Sequence, residues 1–374
     1  MTSRKIRELL SRPVVVAPMA GGPSTAGLVI AAASAGALGF LAAGYKTPAA
    51  MVAEVRAVRA ATAEPFGVNL FVPGAPSADP GAIERYLASL RPSAAAVGAE
   101  LGPATWDDDD FDAKVAALLA DPPPLVSFTF GCPSADVIAA FGDAGSLVAV
   151  TVTSPQEAAI AAAAGVDGLC VQGPAAGAHR GTFTNGVAAQ PGTAQPEPVG
   201  SELSLRALVS KIAAVTDLPQ IAAGGIMEPA QVQAVLAAGA VAAQCGTAFL
   251  RCPESGAHPL HKDALADPRF TTTALTRAFS GRRARGLVNR FIEDHADAPA
   301  AYPEINNATR PLRAAAAAIG DRERMSLWAG RNYRLATDPP AGEVIEWLSG
   351  GARNTLSRQA NAAAITKSSR PDST

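Results

Sequence analysis

The sequence predicts a (β/α)8 TIM barrel with a C-terminal helical extension. Eight short apolar runs alternate with alanine-rich stretches of helical length, the pattern of repeated βα units around a parallel sheet. The turn after the first run, "APMAGGPS", lacks the GxGxxG spacing of an open dinucleotide-binding sheet, which favours the closed barrel over a doubly wound fold.

In chain order the runs are VVVAPM (14–19), LGFLAAG (38–44), FGVNLF (66–71), LVSFTFG (125–131), LVAVTV (147–152), GLCVQG (168–173), PQIAAGG (219–225) and VAAQCGTAFL (241–250). All but the last are short enough to be fully buried strands. Helices are expected around 24–34, 48–61, 79–90, 134–142, 155–164, 204–214 and 229–238. Start signals support several of them, with Ser154 before Pro155 and Glu157 in the first turn, and Glu228 before Pro229. Residues 92–124 are more than one crossover requires, so an added strand and helix at the edge are expected. The Gly/Pro-rich stretch 184–202 has a length typical of functional or mobile loops. The expected organisation is a barrel over 1–254, a helical extension packed on it over 255–350, and a polar, disordered tail over 351–374.

A chain of 374 residues with 48% hydrophobic and 17% charged residues buries a sizeable core. Its net charge of -2, without blocks of lysine and arginine, offers no field for nucleic acid or an anionic membrane, so a small-molecule partner is expected. The charged N-terminal segment is not a signal peptide and no stretch is clean enough to span a bilayer, so a cytoplasmic protein is expected. Four cysteines, Cys132, Cys170, Cys245 and Cys252, show no CxxC spacing and read as reduced thiols. The acidic run Asp107 to Asp110 reads as a solvated helix start rather than a metal cluster, because consecutive residues do not all face one ion.

In such a barrel the active site is built at the C-terminal ends of the strands. That rule selects Pro18, Met19, Ala20, Gly21 and Gly22; Asn69; Gly131; Gln172, Gly173, Gly177, His179 and Arg180; Gly224 and Gly225; and Gln244, Cys245, Gly246 and Thr247. Carboxylates are missing, which argues against a paired-carboxylate hydrolase or a hydrolytic metal centre. The glycine-rich ends "AAGGI" and "QCGT" suit backbone capture of a phosphate, with tight strand-to-helix packing as the alternative. Asn69 and Gln172 are amides that need partners, either a heterocycle such as a flavin's pyrimidine edge or neighbouring backbone.

His179 lies past the sixth run on a loop freed by Gly173, Pro174 and Gly177, so its ring is expected over the barrel mouth, as a base or as a cation near neutral pH. Arg180 reads as a surface charge or a loop staple. His258 and His261 form a weak metal pair interrupted by Pro259, and His295, after Glu293 and Asp294, reads as an exposed ion pair. Cys132 and Cys245 are buried thiols or reactive ones. Tyr302 and Trp328 either shape the substrate side or pack in the core.

The segments "APMAGGPS", "FGVNLFVP", "SFTFGCP", "GVDGLCVQGPAAGAHRGTF", "IAAGGI" and "AAQCGTAFL", with "YPEINNATRPLR" and "LWAG" near the C-terminus, resemble in order the nitronate monooxygenases over about residues 12–335, most closely their class I branch. The resemblance implies an FMN-binding TIM barrel that oxidises alkyl nitronates, notably propionate 3-nitronate, with O2 and without a metal, through a flavin semiquinone. It implies FMN contacts from Asn69, Gln172, Gly177, Gly225, Gln244, Cys245, Gly246 and Thr247, joined by Gly224 beside them. Met19, Ala20, Gly21 and Gly22 would line the first-strand side, and His179 matches the active-site histidine. The chain departs from the family pattern at Ala175 or Ala176, where an acidic residue is usual, and at Ala178, where a glycine is usual. The rival readings are an FMN-dependent NADH:quinone or enoyl-thioester reductase on the same scaffold, and a flavin-free phosphate-binding aldolase or isomerase. The sequence leaves monomer and homodimer both open.

Overall fold

The N-terminal valines show why the chain closes on itself. Val14 and Val16 join the large apolar cluster, which includes many residues of the surrounding helices. Val15 joins Leu38, Phe40, Leu125, Ala149, Ile221 and Ala242 in a separate cluster that also takes in Ile6. This period of two is that of a strand with one row inside a barrel and the other beneath helices.

The computed structural model describes residues 6–186 and 203–351. Its strands are β1 (Val14–Val16), β2 (Leu38–Ala42), β3 (Gly67–Phe71), β4 (Leu125–Thr129), β5 (Leu147–Val152), β6 (Gly168–Gln172), β7 (Ala178–His179), β8 (Gln220–Ala223), β9 (Ala242–Cys245), β10 (Thr273–Thr276) and β11 (Ala284–Leu287). All of them except β7, β10 and β11 form one closed parallel barrel. Closure comes from β1, which pairs Val15 with Leu38 of β2 and with Gln244 of β9. Each predicted run contains one barrel strand, so the (β/α)8 class is established. Gly67 opens β3 because a Cβ there would lie 2.2 Å from the Phe40 ring inside the barrel.

The helix starts also follow from the sequence. Ser154 caps the helix Pro155–Ala163 by accepting from the Glu157 amide at 3.2 Å. Before the helix Pro229–Ala237, the Gln231 side chain accepts from the amides of Glu228 and Met227. Such caps satisfy amides that the first turn leaves unpaired.

Three expectations are corrected. Residues 92–124 contain no strand; the helix Pro80–Ala96 extends through Pro92, followed by the helix Phe111–Ala120. The extra length is helical because Leu90, Ala94 and Val97 pack with Leu312 and Ala316. The last run ends as a strand at Cys245, and Thr247–Phe249 turns into a 3-10 helix. Residues 255–350 are not all helical: β10, β11 and β7 form an antiparallel sheet with β11 in the centre. The β-branched "TTTALT" supplies its outer strand. Most of the 184–202 loop and the tail beyond residue 351 lie outside the described residues. Among the described residues, no helix is long and apolar enough to cross a membrane.

Candidate active site

Period-two alternation makes the barrel interior change character along its axis. The row that starts with Gly67, Leu125, Ala149, Gly168 and Ala242 continues two residues later with Asn69, Ser127, Thr151, Cys170 and Gln244. The upper layer is therefore polar, and buried polar groups must find partners. Asn69 Nδ2 donates to Ser127 Oγ (2.9 Å), Thr129 Oγ1 (3.0 Å) and Ser127 O (3.2 Å). Thr129 Oγ1 meets Thr151 Oγ1 at 3.1 Å, and Gln244 Nε2 reaches Cys170 Sγ at 3.1 Å. Asn69 thus has neighbouring protein partners through its nitrogen, while its Oδ1 receives no donor among the described residues.

Above this layer, Gln172 fastens the loop that carries the histidine. Its Nε2 donates to His179 O at 3.0 Å and its Oε1 accepts from Gly181 N at 2.9 Å. From the other side β11 pairs Ala284 with His179 and Arg285 with Ala178. Arg180 is buried and donates to Gly173 O at 2.6 Å, so it is a loop staple rather than a surface charge. Gly177 is demanded by close approach, since a Cβ would lie 2.6 Å from Gly330 N.

The imidazole sits within an aromatic cluster. Phe130, Tyr302 and Trp328 have ring centres 5.8, 5.6 and 5.6 Å from it, and Arg282 stacks 4.0 Å over Phe130. His179 Nε2 is 2.8 Å from Ser280 Oγ, whose proton goes to Arg282 O at 3.1 Å. With that proton committed, Nε2–H is the donor and Nδ1 keeps the lone pair. Burial, then the charges of Arg282 and Arg313, lower the His179 pKa to about 3. Of the two roles the sequence leaves open for His179, base or cation near neutral pH, this favours the neutral base. Removing the hydroxyl in Ser280→Ala is expected to lower the kcat/KM of any reaction that uses His179 about 10-fold, because a buried N–H loses its acceptor. Steady-state kinetics beside an unchanged thermal midpoint would check this.

The seventh and eighth barrel strand ends converge on one C-terminal segment. Gly330 N donates to Thr247 Oγ1 at 3.0 Å, Asn332 Nδ2 to Gly225 O at 2.6 Å, and Arg331 N to Ala175 O at 3.0 Å. Gly224 and Gly225 adopt φ of 121° and 72°, open to glycine at little cost. Gly246 faces the first strand end, where an added Cβ would lie 3.5 Å from Met19 Sδ, while Gly21 and Gly22 are exposed at φ of 83° and 125°. Met19 N, beside Ala20 on the same turn, donates to Ser24 Oγ at 2.9 Å.

The family described as nitronate monooxygenase matches residues 3–350. The chain belongs to the nitronate monooxygenase family. It is 39% identical to a nitronate monooxygenase of Pseudomonas aeruginosa over 93% of this chain and 98% of that protein. It is also 37% identical to a probable nitronate monooxygenase of Staphylococcus aureus, over 89% and 92% of the two chains. Among solved structures, a nitroalkane oxidase from Streptomyces ansochromogenes is similar with a TM-score of 0.87 and 46% identity, covering 96% of this chain and 99% of that one. FabK from Thermotoga maritima, at 23% identity and a TM-score of 0.65 over 97% of this chain and 98% of that one, shares the fold.

Family membership makes the alanine departures informative. Ala178 adopts φ of 58°, the left-handed conformation a glycine enters freely, at a cost of about 1 kcal/mol for an alanine. The loop geometry is thus kept under strain by the pairing with β11 and by Gln172. Ala175 fills the space beside Gly225, where a Cβ on the glycine would lie 2.7 Å from its own. No acidic side chain is placed there.

For a nitronate monooxygenase, the other singled-out residues divide clearly. His261 Nε2 meets Trp328 O at 3.0 Å, and burial lowers its pKa to about 4. His258 Nδ1 accepts from Leu260 N, and no metal-binding group of His, Cys, Asp or Glu occurs among the described residues. His295 is buried, with Nε2 3.3 Å from Ser93 Oγ and its ring beside Tyr86 and Phe291, so the exposed ion pair is corrected. Burial pushes the thiols of Cys170, Cys245 and Cys252 up to about 12, which makes them inert near neutral pH. Asp109 is not simply solvated: it pairs with buried Lys114 at 2.7 Å and accepts from Tyr45 N at 2.8 Å. Tyr302 Oη donates to Tyr45 Oη at 3.1 Å, beside a cavity of about 210 Å³ lined by Tyr45, Phe71, Asp109, Tyr302 and Arg310. Sequence reasoning missed Ser280, Arg282, Phe130 and Tyr45 as parts of this site.

Proposed function

We propose that the protein oxidises alkyl nitronates, propionate 3-nitronate among them, using bound FMN and O2. The observation that carries this reading is a buried imidazole fixed among the rings of Phe130, Tyr302 and Trp328 at the mouth of a barrel whose upper layer is polar. The donor set suits the cofactor. Gly225 N and Thr247 N, at adjacent strand ends, meet no acceptor among the described residues and would hold its phosphate, while Asn69 Oδ1 would accept from a ring N–H. Gln172, Gln244, Cys245, Gly246, Gly177 and Gly224 would line the same cradle, with Met19, Ala20, Gly21 and Gly22 on the first-strand side.

When bound, FMN would supply the redox chemistry between an electron-rich substrate and O2. The chain supplies position and a dry environment. Phe130, Tyr302 and Trp328 surround the imidazole and exclude water, with Tyr302 also on the substrate side. His179 Nδ1 takes the α-proton when a neutral nitroalkane enters, while Ser280 steadies Nε2. A base with so low a pKa is weak, so preformed nitronates are the better substrates.

The acid limb follows from the same shift. A lowered pKa keeps the base unprotonated further into acid, so nitroalkane kcat/KM stays level as pH falls through 6.5 and drops only towards about 3. A titration near 6.5 in that profile would contradict the burial of His179. The function itself is tested by oxygen uptake with an alkyl nitronate, together with mass analysis of the chromophore released on denaturation. Uptake without a metal, with FMN released, is expected; a colourless protein that consumes no oxygen would point to the flavin-free phosphate-binding class. A cytoplasmic enzyme, monomeric or homodimeric, acting on small molecules rather than nucleic acid or membrane completes the proposal.

A further inference from the structure

We propose that the Arg282 guanidinium is an oxyanion site that binds the nitro-group oxygens of the nitronate, a planar anion; this rests on the reaction assigned above. Arg282 is 5% exposed, and among the described residues no carboxylate forms an ion pair with it. Its Nε donates to Arg180 O at 3.2 Å, and its Nη2 donates to Thr182 O and, at 3.4 Å, to Thr182 Oγ1. Nη1 receives no acceptor among the described residues. The plane lies 4.0 Å over Phe130 and 5.9 Å from the centre of Tyr302, the same two rings that flank His179.

Neutral carbonyls and an aromatic face would be served as well by a neutral amide donor, so they leave the charge itself unexplained. A buried cation without an anion is costly, and a planar fork is the group best shaped for a planar oxyanion. His179 does not supply the positive charge, because Arg282 and Arg313 help to keep it neutral. Glu157 is engaged elsewhere, accepting from Thr153 N, Thr153 Oγ1 and Phe183 N. Arg313 is the weaker candidate, since its Nη2 is committed to Asn306 and its unpartnered Nε is sealed inside the protein. The division of labour is then clear: Arg282 holds a substrate that arrives as an anion, and His179 serves one that arrives neutral.

The test uses the cofactor-loaded protein with Arg282→Gln, which keeps a donor for the carbonyls and removes the charge. Nitrate, a planar oxyanion that is not turned over, is titrated calorimetrically, and KM is measured for an alkyl nitronate and for the matching neutral nitroalkane. Arg282→Gln is expected to weaken nitrate and raise nitronate KM about 10- to 100-fold, the range for a lost charge-assisted hydrogen bond, and to change nitroalkane KM little. Equal losses for the anionic and neutral substrates overturn the proposal, as does wild-type protein that oxidises nitronate without binding nitrate. If nitrate binding depends on Arg282 but nitronate is not oxidised, the oxyanion site stands and the assigned reaction fails. Should the Gln variant not fold, Arg282→Lys decides: about 10-fold weaker nitrate is expected because an ammonium lacks the planar fork, and unchanged affinity overturns the site.

Discussion

Replacing His179 by Asn is expected to lower nitroalkane turnover about 100-fold, the lower end of general-base assistance, with a much smaller change for nitronates. The asymmetry follows from the charge state. A neutral imidazole removes a proton from a nitroalkane, but it has none to remove from a nitronate and no charge with which to hold one. The variant should fold, because Asn offers a donor that can face Ser280 and the loop remains fastened by Gln172 and β11. Equal kinetics for nitroalkane in the variant and the parent, with cofactor retained, would remove His179 from the mechanism.

The second large effect is on stability and activity together. Gly281 joins Ser280 to Arg282 and adopts φ of 74°, and a Cβ there would lie 2.1 Å from Ala301 O. Its own carbonyl accepts from Ala301 N at 3.1 Å, so the two backbones are locked together directly before Tyr302. Gly281→Ala must therefore push apart the turn that holds the His179 partner and the segment that delivers Tyr302. A destabilisation of about 2–4 kcal/mol is expected from backbone conformation and clash combined, with turnover of both substrate forms reduced even below the unfolding transition. Thermal unfolding and steady-state kinetics measured on one preparation check it; an unshifted midpoint would show that the turn yields freely.

The barrel was legible because its signal is local. Runs such as LVAVTV and GLCVQG carry their burial in their own composition, and the strand-end rule then led to Asn69, Gln172, Gly225, Thr247 and His179. Ser280 and Arg282 were not legible, since they reach His179 through the pairing of β7 with β11, about a hundred residues apart, which no local pattern announces. The charge state of His179 is left open by the sequence for a related reason: an imidazole's pKa depends on burial and on guanidiniums that tertiary structure brings close. His295 was misread because its acidic neighbours suggested a surface, while Tyr86, Phe291 and Ser93 cover it. The helix through Pro92 was missed since packing against Leu312 and Ala316 overrides the local break.

The most direct measurement is the visible spectrum of the purified protein under anaerobic conditions, mixed in turn with an alkyl nitronate and with NADH. An oxidised flavin spectrum that changes rapidly with the nitronate, and not with NADH, is the predicted result. Rapid bleaching by NADH with no response to the nitronate would instead identify a reductase on this barrel and contradict the account.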